Sequence, residues 1–210
     1  MRLLLARHGE TTWNLEGRYQ GRKEAPLSAR GNAQANAMAR RLASEDVHSI
    51  VSSPLSRTTD TAKICADALG LHVAVDERLL EISHGTWEGR TRDEIAREDG
   101  ALLRRWQQHP DTVTFPGGES LADVQKRLDD FIAEAERRYA GVLLVVTHDV
   151  IVRLMVLAAQ GRPRAGFNEV QVDNAALSRF ELGNGRLTLT QLNEVDYLGD
   201  LRSPLATQAR

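Results

Sequence analysis

The chain has 210 residues, 41% hydrophobic and 27% charged, a composition that excludes a disordered protein and suits a soluble globular one with a sizeable core. A net charge of −2 gives no global field for nucleic acid or an anionic membrane, so any bound anion must be held by a local group of Arg. Cys65 is the single cysteine, no stretch approaches the roughly 18 apolar residues of a membrane helix, and the N-terminus lacks a signal-peptide layout, so the expected location is cytoplasmic.

In chain order, Leu3–Ala6 reads as a short buried strand that stops at Arg7-His8. Trp13–Ala25 reads as loop. Ser28 is placed to cap a helix running to about Ser44, with Ala33, Ala37, Met38, Leu42 and Ala43 on its apolar side. Ile50-Val51 is a very short strand, and Pro54 fits an early helix position before a helix from about Leu55 to Leu69 that ends at Gly70. Val73–Val75 is another short strand. The segment from Asp76 to Phe115 is mixed, with helical pieces around Arg92–Arg97 and Ala101–Gln108, and Pro116-Gly117-Gly118 is a turn. Ser120 to Asp123 resembles a capping pattern, and Leu121, Val124, Leu128, Phe131, Ile132, Ala135 and Tyr139 mark an amphipathic helix behind it. Val142–Val146 is the strongest strand and runs into Thr147-His148, followed by a helix from about Asp149 to Gln160. Ala176–Leu182 and Arg186–Leu192 flank Gly183-Asn184-Gly185 as a hairpin, and the last dozen residues read as a loose tail.

This alternation, with its antiparallel end, predicts an α/β fold: a three-layer α/β/α sandwich over a mostly parallel sheet. Residues 1–210 are expected to form one domain, with 76–120 as a small inserted cap.

Two strands end alike, Leu3–Ala6 at Arg7-His8 and Val142–Val146 at Thr147-His148, while Ile50-Val51 leads through Ser52-Ser53-Pro54 to Arg57. In open α/β sheets ligands collect beyond the carboxyl ends of the strands. If these strands are parallel, two Arg and two His converge on one edge. A single strand-end His is commonly structural; the matched pair with two Arg is what points to a site. Fixed cations repel a metal ion, and neither H-E-x-x-H nor C-x-x-C occurs. Guanidinium forks match phosphate oxygens, and a neutral imidazole can act as a nucleophile at phosphorus. The absence of a P-loop argues against a nucleotide-driven kinase or GTPase.

Arg7-His8-Gly9-Glu10-Thr11 with Asn14 and Gln20-Gly21 opens a series of motif blocks. Ser52-Ser53-Pro54-Leu55-Ser56-Arg57 follows, then Arg78-Leu79-Leu80-Glu81 and Gly85-Thr86-Trp87-Glu88-Gly89. Pro116-Gly117-Gly118-Glu119-Ser120 and Val146-Thr147-His148 complete it. In content and order the series resembles the histidine phosphatase superfamily, the phosphoglycerate mutase-like proteins, from residue 2 to about 195. The resemblance implies that His8 is the nucleophile and forms a phosphohistidine, with Arg7, Arg57 and His148 around the transferring phosphoryl group. Glu81 would protonate the leaving alkoxide and then activate water, while Asn14 and Gln20-Gly21 would contact the phosphate or its carrier. It implies no metal ion and no cofactor, and a small phosphorylated molecule as substrate.

Glu88 reads as structural, His84 as a packing residue, and Trp13, Trp87 and Trp106 as core or cap packing; His48, His72 and His109 have nothing beside them to suggest chemistry. After its second histidine the family often has Gly, and Asp149 stands here instead. Its type suits a helix N-cap, yet a carboxylate beside the phosphate would weaken binding of bisphosphorylated ligands, so Asp149 joins the expected substrate contacts. The span from Glu81 to His148 is short for a cofactor-dependent mutase, which favours a phosphatase over a 2,3-bisphosphoglycerate-dependent phosphoglycerate mutase. Arg90, Arg92, Arg97, Arg104 and Arg105 in the cap could still meet an acidic substrate. A non-catalytic binder of phosphorylated ligands is the third reading, and the terminal strands could offer an edge for a homodimer.

Overall fold

The structure, a computed structural model, describes residues 1–203. In chain order its elements are β1 (Arg2–Arg7), α1 (Thr12–Leu15), α2 (Ala29–Leu42), β2 (Val47–Ser52), α3 (Ser56–Leu69) and β3 (Val73–Val75). Then come α4 (Arg92–Glu98), α5 (Gly100–Gln108), α6 (Leu121–Arg138), β4 (Val142–Thr147), α7 (Asp149–Ala159), β5 (Leu177–Gly183) and β6 (Arg186–Glu194). One sheet runs β3-β2-β4-β1-β5-β6. The first four strands are mutually parallel, and β5 and β6 are antiparallel to their neighbours.

The apolar runs of β1 and β4 explain this order. Leu3, Leu5, Leu143 and Val145 on successive pleats, and Leu4 and Leu144 between them, are all buried, so both faces of the sheet are covered. Helices α2 and α3 pack together, as do α6 and α7, which completes the α/β/α layering the alternation predicts. The register pairs Arg7 with Thr147 and Ser52 with Val146. The carboxyl ends of β1, β4 and β2 therefore lie on one edge, and His8, Ser53 and His148 are the residues just beyond it. Among the described residues no helix is long and apolar enough to cross a membrane.

Local chemistry sets the boundaries. Ser28 caps α2 by accepting from the Gly31 N–H, Ser120 and Asp123 form a capping box on α6, and Gly70 ends α3 in the left-handed region at φ 67°. Trp13–Ala25 is not all loop. Thr11 and Asn14 form a capping box around the single turn of α1, too short for any periodicity to reveal. Strand β2 begins at Val47, earlier than expected, because its first half is solvated and lacks an apolar run. Pro54 lies just outside the helix, with Leu55 at the N-cap, and Tyr139 is already extended at the end of α6.

The expected loose tail is packed as far as it is described. The 3-10 turns of Asp196–Leu201 run into it, the Leu201 carbonyl accepts from Gln34 Nε2 at 2.8 Å, and the Ser203 hydroxyl donates to Glu10 Oε2 at 2.7 Å while accepting from Gln34 Nε2 at 2.9 Å. Residues 204–210 of that expectation lie outside the described residues. Glu10, buried in the turn after His8, also accepts from the Ser28 hydroxyl at 2.8 Å. The start of α2 is thus pressed onto the His8 turn. A Cβ on Gly31 would stand 1.9 Å from the Glu10 carbonyl oxygen, a backbone atom that cannot step aside.

Gly31→Ala, which raises helix propensity by about 1 kcal/mol, is therefore expected to destabilise the protein by ~2 kcal/mol or more through overpacking. Urea unfolding reads this directly, and an unchanged or raised midpoint would contradict the contact.

Candidate active site

The strand ends open into a cleft lined by Arg7, His8, Asn14, Gln20, Gly21, Arg57, Glu81 and Asp149, all expected from the sequence. His148 is brought to the same place but does not line the cleft. It is fully buried behind His8, edge-on, with ring centroids 5.4 Å apart, and its Nε2 lies 2.8 Å from the Ser53 hydroxyl.

His8 is oriented by its own turn. Its Nδ1 lies 2.7 Å from the Gly9 carbonyl oxygen. A carbonyl only accepts, so Nδ1 carries the proton of the neutral ring and Nε2 keeps its lone pair. Burial, reinforced by the Arg57 and Arg7 guanidiniums, holds the His8 pKa well below the usual imidazole range. The ring is therefore neutral at pH 7. Burial and the same positive surroundings, with His8 itself, hold His148 low as well.

The two arginines are held chiefly by backbone oxygens. Arg57 Nη2 donates to the Gly21 carbonyl at 2.8 Å and Nη1 to the Lys23 carbonyl at 3.0 Å; Arg7 Nη1 donates to the Val172 carbonyl at 2.7 Å. Burial lowers both pKa values, that of Arg57 to about 10, so both remain cations at neutral pH. Each keeps a buried Nε–H with no partner among the described residues. An oxyanion in the cleft is the kind of group that satisfies such donors.

Surrounding groups fix the turn. The Ala175 N–H donates to the His8 carbonyl at 3.0 Å, and Gly9 N–H donates to Thr61 Oγ1 at 3.2 Å. Asn14 Oδ1 accepts from Asn174 Nδ2 at 3.2 Å and from the Thr11 N–H at 3.0 Å, so its nitrogen end is the one left for a ligand. Gln20 Oε1 lies 3.1 Å from the Thr11 hydroxyl. Gly21, at φ +53°, leaves room for the Glu88 carboxylate, whose Oε1 accepts from Arg22 N–H and His84 N–H and from the Ser83 hydroxyl. That confirms a structural role for Glu88.

Glu81 is buried in the opposite wall. Its Oε1 accepts from the Ile82 N–H at 2.9 Å, and Arg127 donates to its backbone carbonyl and to Glu119, which in turn accepts from Ser83 N–H. Burial, with the Asp149 carboxylate adding to it, pushes the Glu81 pKa up to about 7 against the pull of Arg57 and Arg7. The group is thus poised between acid and base near neutral pH.

Asp149 is not an N-cap. His148 occupies the cap with extended φ/ψ, and Asp149 is the first helical residue of α7, turned inward to face Arg7 at 3.5 Å and Arg153 at 2.9 Å. None of Arg90, Arg92, Arg97, Arg104 and Arg105 lines the cleft; Arg90, for one, pairs with Glu98 and Arg105 bonds Thr112. The additional arginines in the wall are Arg18 and Arg153. His84 does pack, edge-to-face with Tyr19 and Phe115, but it also lines the cleft, as does Trp106. Burial lowers the His84 pKa to about 3, so this wall is uncharged. Among the described residues no three His, Cys, Asp or Glu side chains cluster as metal ligands would.

Glu81 yields a stability test. In the unfolded chain its carboxyl ionises near the ordinary value of 4.5, whereas the folded protein retains the proton to about 7. The folded state therefore binds more protons in that window, and its stability falls as pH rises through it. Glu81→Gln removes the penalty. Relative to wild type, the variant is expected to be more stable at pH 8 than at pH 4 by on the order of 3 kcal/mol. Urea unfolding at both pH values checks this; a pH-independent difference would contradict it.

The histidine phosphatase superfamily (branch 1) model matches residues 3–195. Phosphoserine phosphatase 1 of Hydrogenobacter thermophilus is 38% identical over 201 residues, 95% of each chain. A probable phosphoglycerate mutase GpmB of Enterobacter sp. is 32% identical over 182 residues, 86% of this chain and 85% of its own. Among solved structures, a mycobacterial glucosyl-3-phosphoglycerate phosphatase in complex with VO3 aligns with a TM-score of 0.86 and 31% identity, over 92% of this chain and 99% of that one. A family match over nearly the whole sequence, joined to this fold, means that the chain belongs to the histidine phosphatase superfamily, branch 1, and is an enzyme of its phosphatase class.

Proposed function

We propose that the protein is a metal-independent phosphomonoesterase that hydrolyses a small phosphate ester through a phosphohistidine at His8. The observation that carries this reading is the state of His8: a neutral imidazole, its Nδ1 engaged by the Gly9 carbonyl and its Nε2 bare, beside two buried guanidiniums with unsatisfied N–H donors. Arg7 and Arg57 bind the phosphoryl oxygens and offset the charge that builds on them in a loose transition state. Nε2 attacks phosphorus as the ester P–O bond breaks, and protonated Glu81 delivers its proton to the leaving oxygen. In the second step the Glu81 carboxylate takes a proton from water, which attacks phosphorus; the N–P bond breaks, and phosphate leaves with His8 restored. His148, edge-on to the His8 ring and held at Nε2 by the Ser53 hydroxyl, positions the nucleophile. Asn14 and the Gln20-Gly21 turn hold the phosphate or its carrier, and segment 76–120 serves as the cap that supplies Glu81, His84 and Trp106 to the cleft.

A phosphatase is favoured over a bisphosphoglycerate-dependent mutase because the cap arginines that would hold a second strongly anionic group point elsewhere, and Asp149 repels one. A passive binder has no use for a proton donor like Glu81.

The test uses a radiolabelled aryl phosphate with a chelator present, quenched in alkali, where phosphohistidine survives. The wild type is expected to carry a base-stable, acid-labile label that is absent from His8→Ala, which loses turnover. Glu81→Gln should accumulate the label and turn over about 10²–10⁴-fold more slowly, because an aryl leaving group needs no acid but dephosphorylation needs the base. Turnover without a trappable label, or an active His8→Ala, would contradict the reading.

A further inference from the structure

Glu81 stands on a stretch of backbone that belongs to no helix or strand, between the 3-10 turns Glu77–Leu79 and Gly85–Trp87. Its carboxylate takes its hydrogen bond from the N–H of the next residue, Ile82, which moves with it. Where the carboxyl sits is therefore set by whatever fixes this backbone, and side chains from elsewhere do so. Arg127, on α6 and outside the cleft, donates from Nη1 to the Arg78 carbonyl at 2.6 Å and from Nη2 to the Glu81 carbonyl at 3.2 Å. One planar fork thus spans the segment up to the acid. Between these points the Thr147 hydroxyl, at the end of β4, donates to the Leu79 carbonyl at 2.9 Å. Beyond Glu81, Glu119 Oε2 accepts from the Ser83 N–H at 2.9 Å, and Arg127 Nη2 lies 3.4 Å from the same oxygen.

Among these groups Arg127 is the costly one. Its side chain is only 16% exposed, its buried Nε–H has no partner among the described residues, and its ion pair with Glu119 is long. Desolvating a guanidinium is unfavourable unless it is well paired, and an apolar side chain could pack α6 against the segment without that cost. What the guanidinium adds is a pair of fixed donors at two carbonyls, one of them that of Glu81. Resting on the phosphatase reading, in which Glu81 gives a proton in the first step and takes one in the second, we propose that Arg127 is a positioning residue for the proton donor. It holds the Glu81 carboxyl within reach of the leaving oxygen and of the attacking water. The His8 turn and the two phosphate-facing arginines are held by other groups, so loss of Arg127 separates the proton transfers from the attack on phosphorus.

Rapid-quench labelling of wild type, Arg127→Met and Arg127→Lys with radiolabelled p-nitrophenyl phosphate reads the two steps apart. Nitrophenolate leaves without an acid, so Arg127→Met is expected to form the phosphohistidine within about threefold of the wild-type rate. The label should then accumulate, and turnover should fall about 10- to 100-fold, the scale of a misplaced catalytic group. Labelling from benzyl phosphate, similar in shape but with an alkoxide that leaves only with a proton, should slow by about the same factor. Arg127→Lys, whose single ammonium cannot fork across both carbonyls, should fall between the two. Turnover within about twofold of wild type in both variants would overturn the assignment. So would nitrophenyl labelling that slows as far as turnover does, the result a merely structural loss would give. If circular dichroism shows Arg127→Met unfolded, the same comparison on Arg127→Lys decides. A wild type that hydrolyses nitrophenyl phosphate without any label would overturn the phosphohistidine reading itself, a failure distinct from that of Arg127.

Discussion

Two guanidiniums buried at one sheet edge, anchored mainly by backbone carbonyls, set the conditions for the rest of this structure. Arg57 reaches back from the start of α3 to the carbonyls of Gly21 and Lys23, and Arg7 reaches from β1 to the carbonyl of Val172. These bonds tie loops far apart in sequence to the strand ends. They orient the cations but offset only part of their charge, since a carbonyl dipole is weaker than a carboxylate. Desolvation opposes such burial, and the fold sustains it because the strands and helices around the edge are tightly packed and their buried apolar side chains form one continuous cluster. An anion at this edge supplies what the protein leaves out.

The two groups that would exchange protons and the phosphoryl group take their states from the same surroundings. Burial dominates for both, favouring the neutral form of each: the free base for His8 and the acid for Glu81. The arginines then act in opposite senses. They reinforce the neutral state of His8 and pull Glu81 part of the way back, to about 7, where it can serve as acid in one step and base in the next. The Asp149 carboxylate counters that pull, so the residue that stands where the resembled family often has Gly also tunes the proton donor.

Much of this was legible in the sequence. The apolar runs of β1 and β4 announce buried parallel strands, their abrupt ends place Arg7, His8 and His148 together, and the ordered motifs add Arg57 and Glu81. The serine caps at Ser28 and Ser120 and the Gly183-Asn184-Gly185 hairpin are signals contained within a few residues. What was not legible depends on distant partners. Nothing near Asn174 shows that its amide meets Asn14 across 160 positions, nor does anything near Ser203 show that its hydroxyl meets Glu10 across 193. Asp149 suits both the N-cap and the first helical position, and only the extended backbone of His148 decides between them. The cap arginines and Arg153 are alike in type; which face of its helix each occupies, and what lies opposite, is decided by packing. A spacing of four between Asp149 and Arg153 was the available signal that the two side chains meet.

The stereochemical course at phosphorus tests the covalent role of His8 most directly. An ester made chiral at phosphorus with oxygen isotopes and sulfur, hydrolysed in isotopically labelled water, reports whether phosphorus was displaced once or twice. Two in-line displacements, at His8 and then at water, give net retention of configuration. Net inversion would mean that water attacks the ester in a single step and that His8 never carries the phosphoryl group.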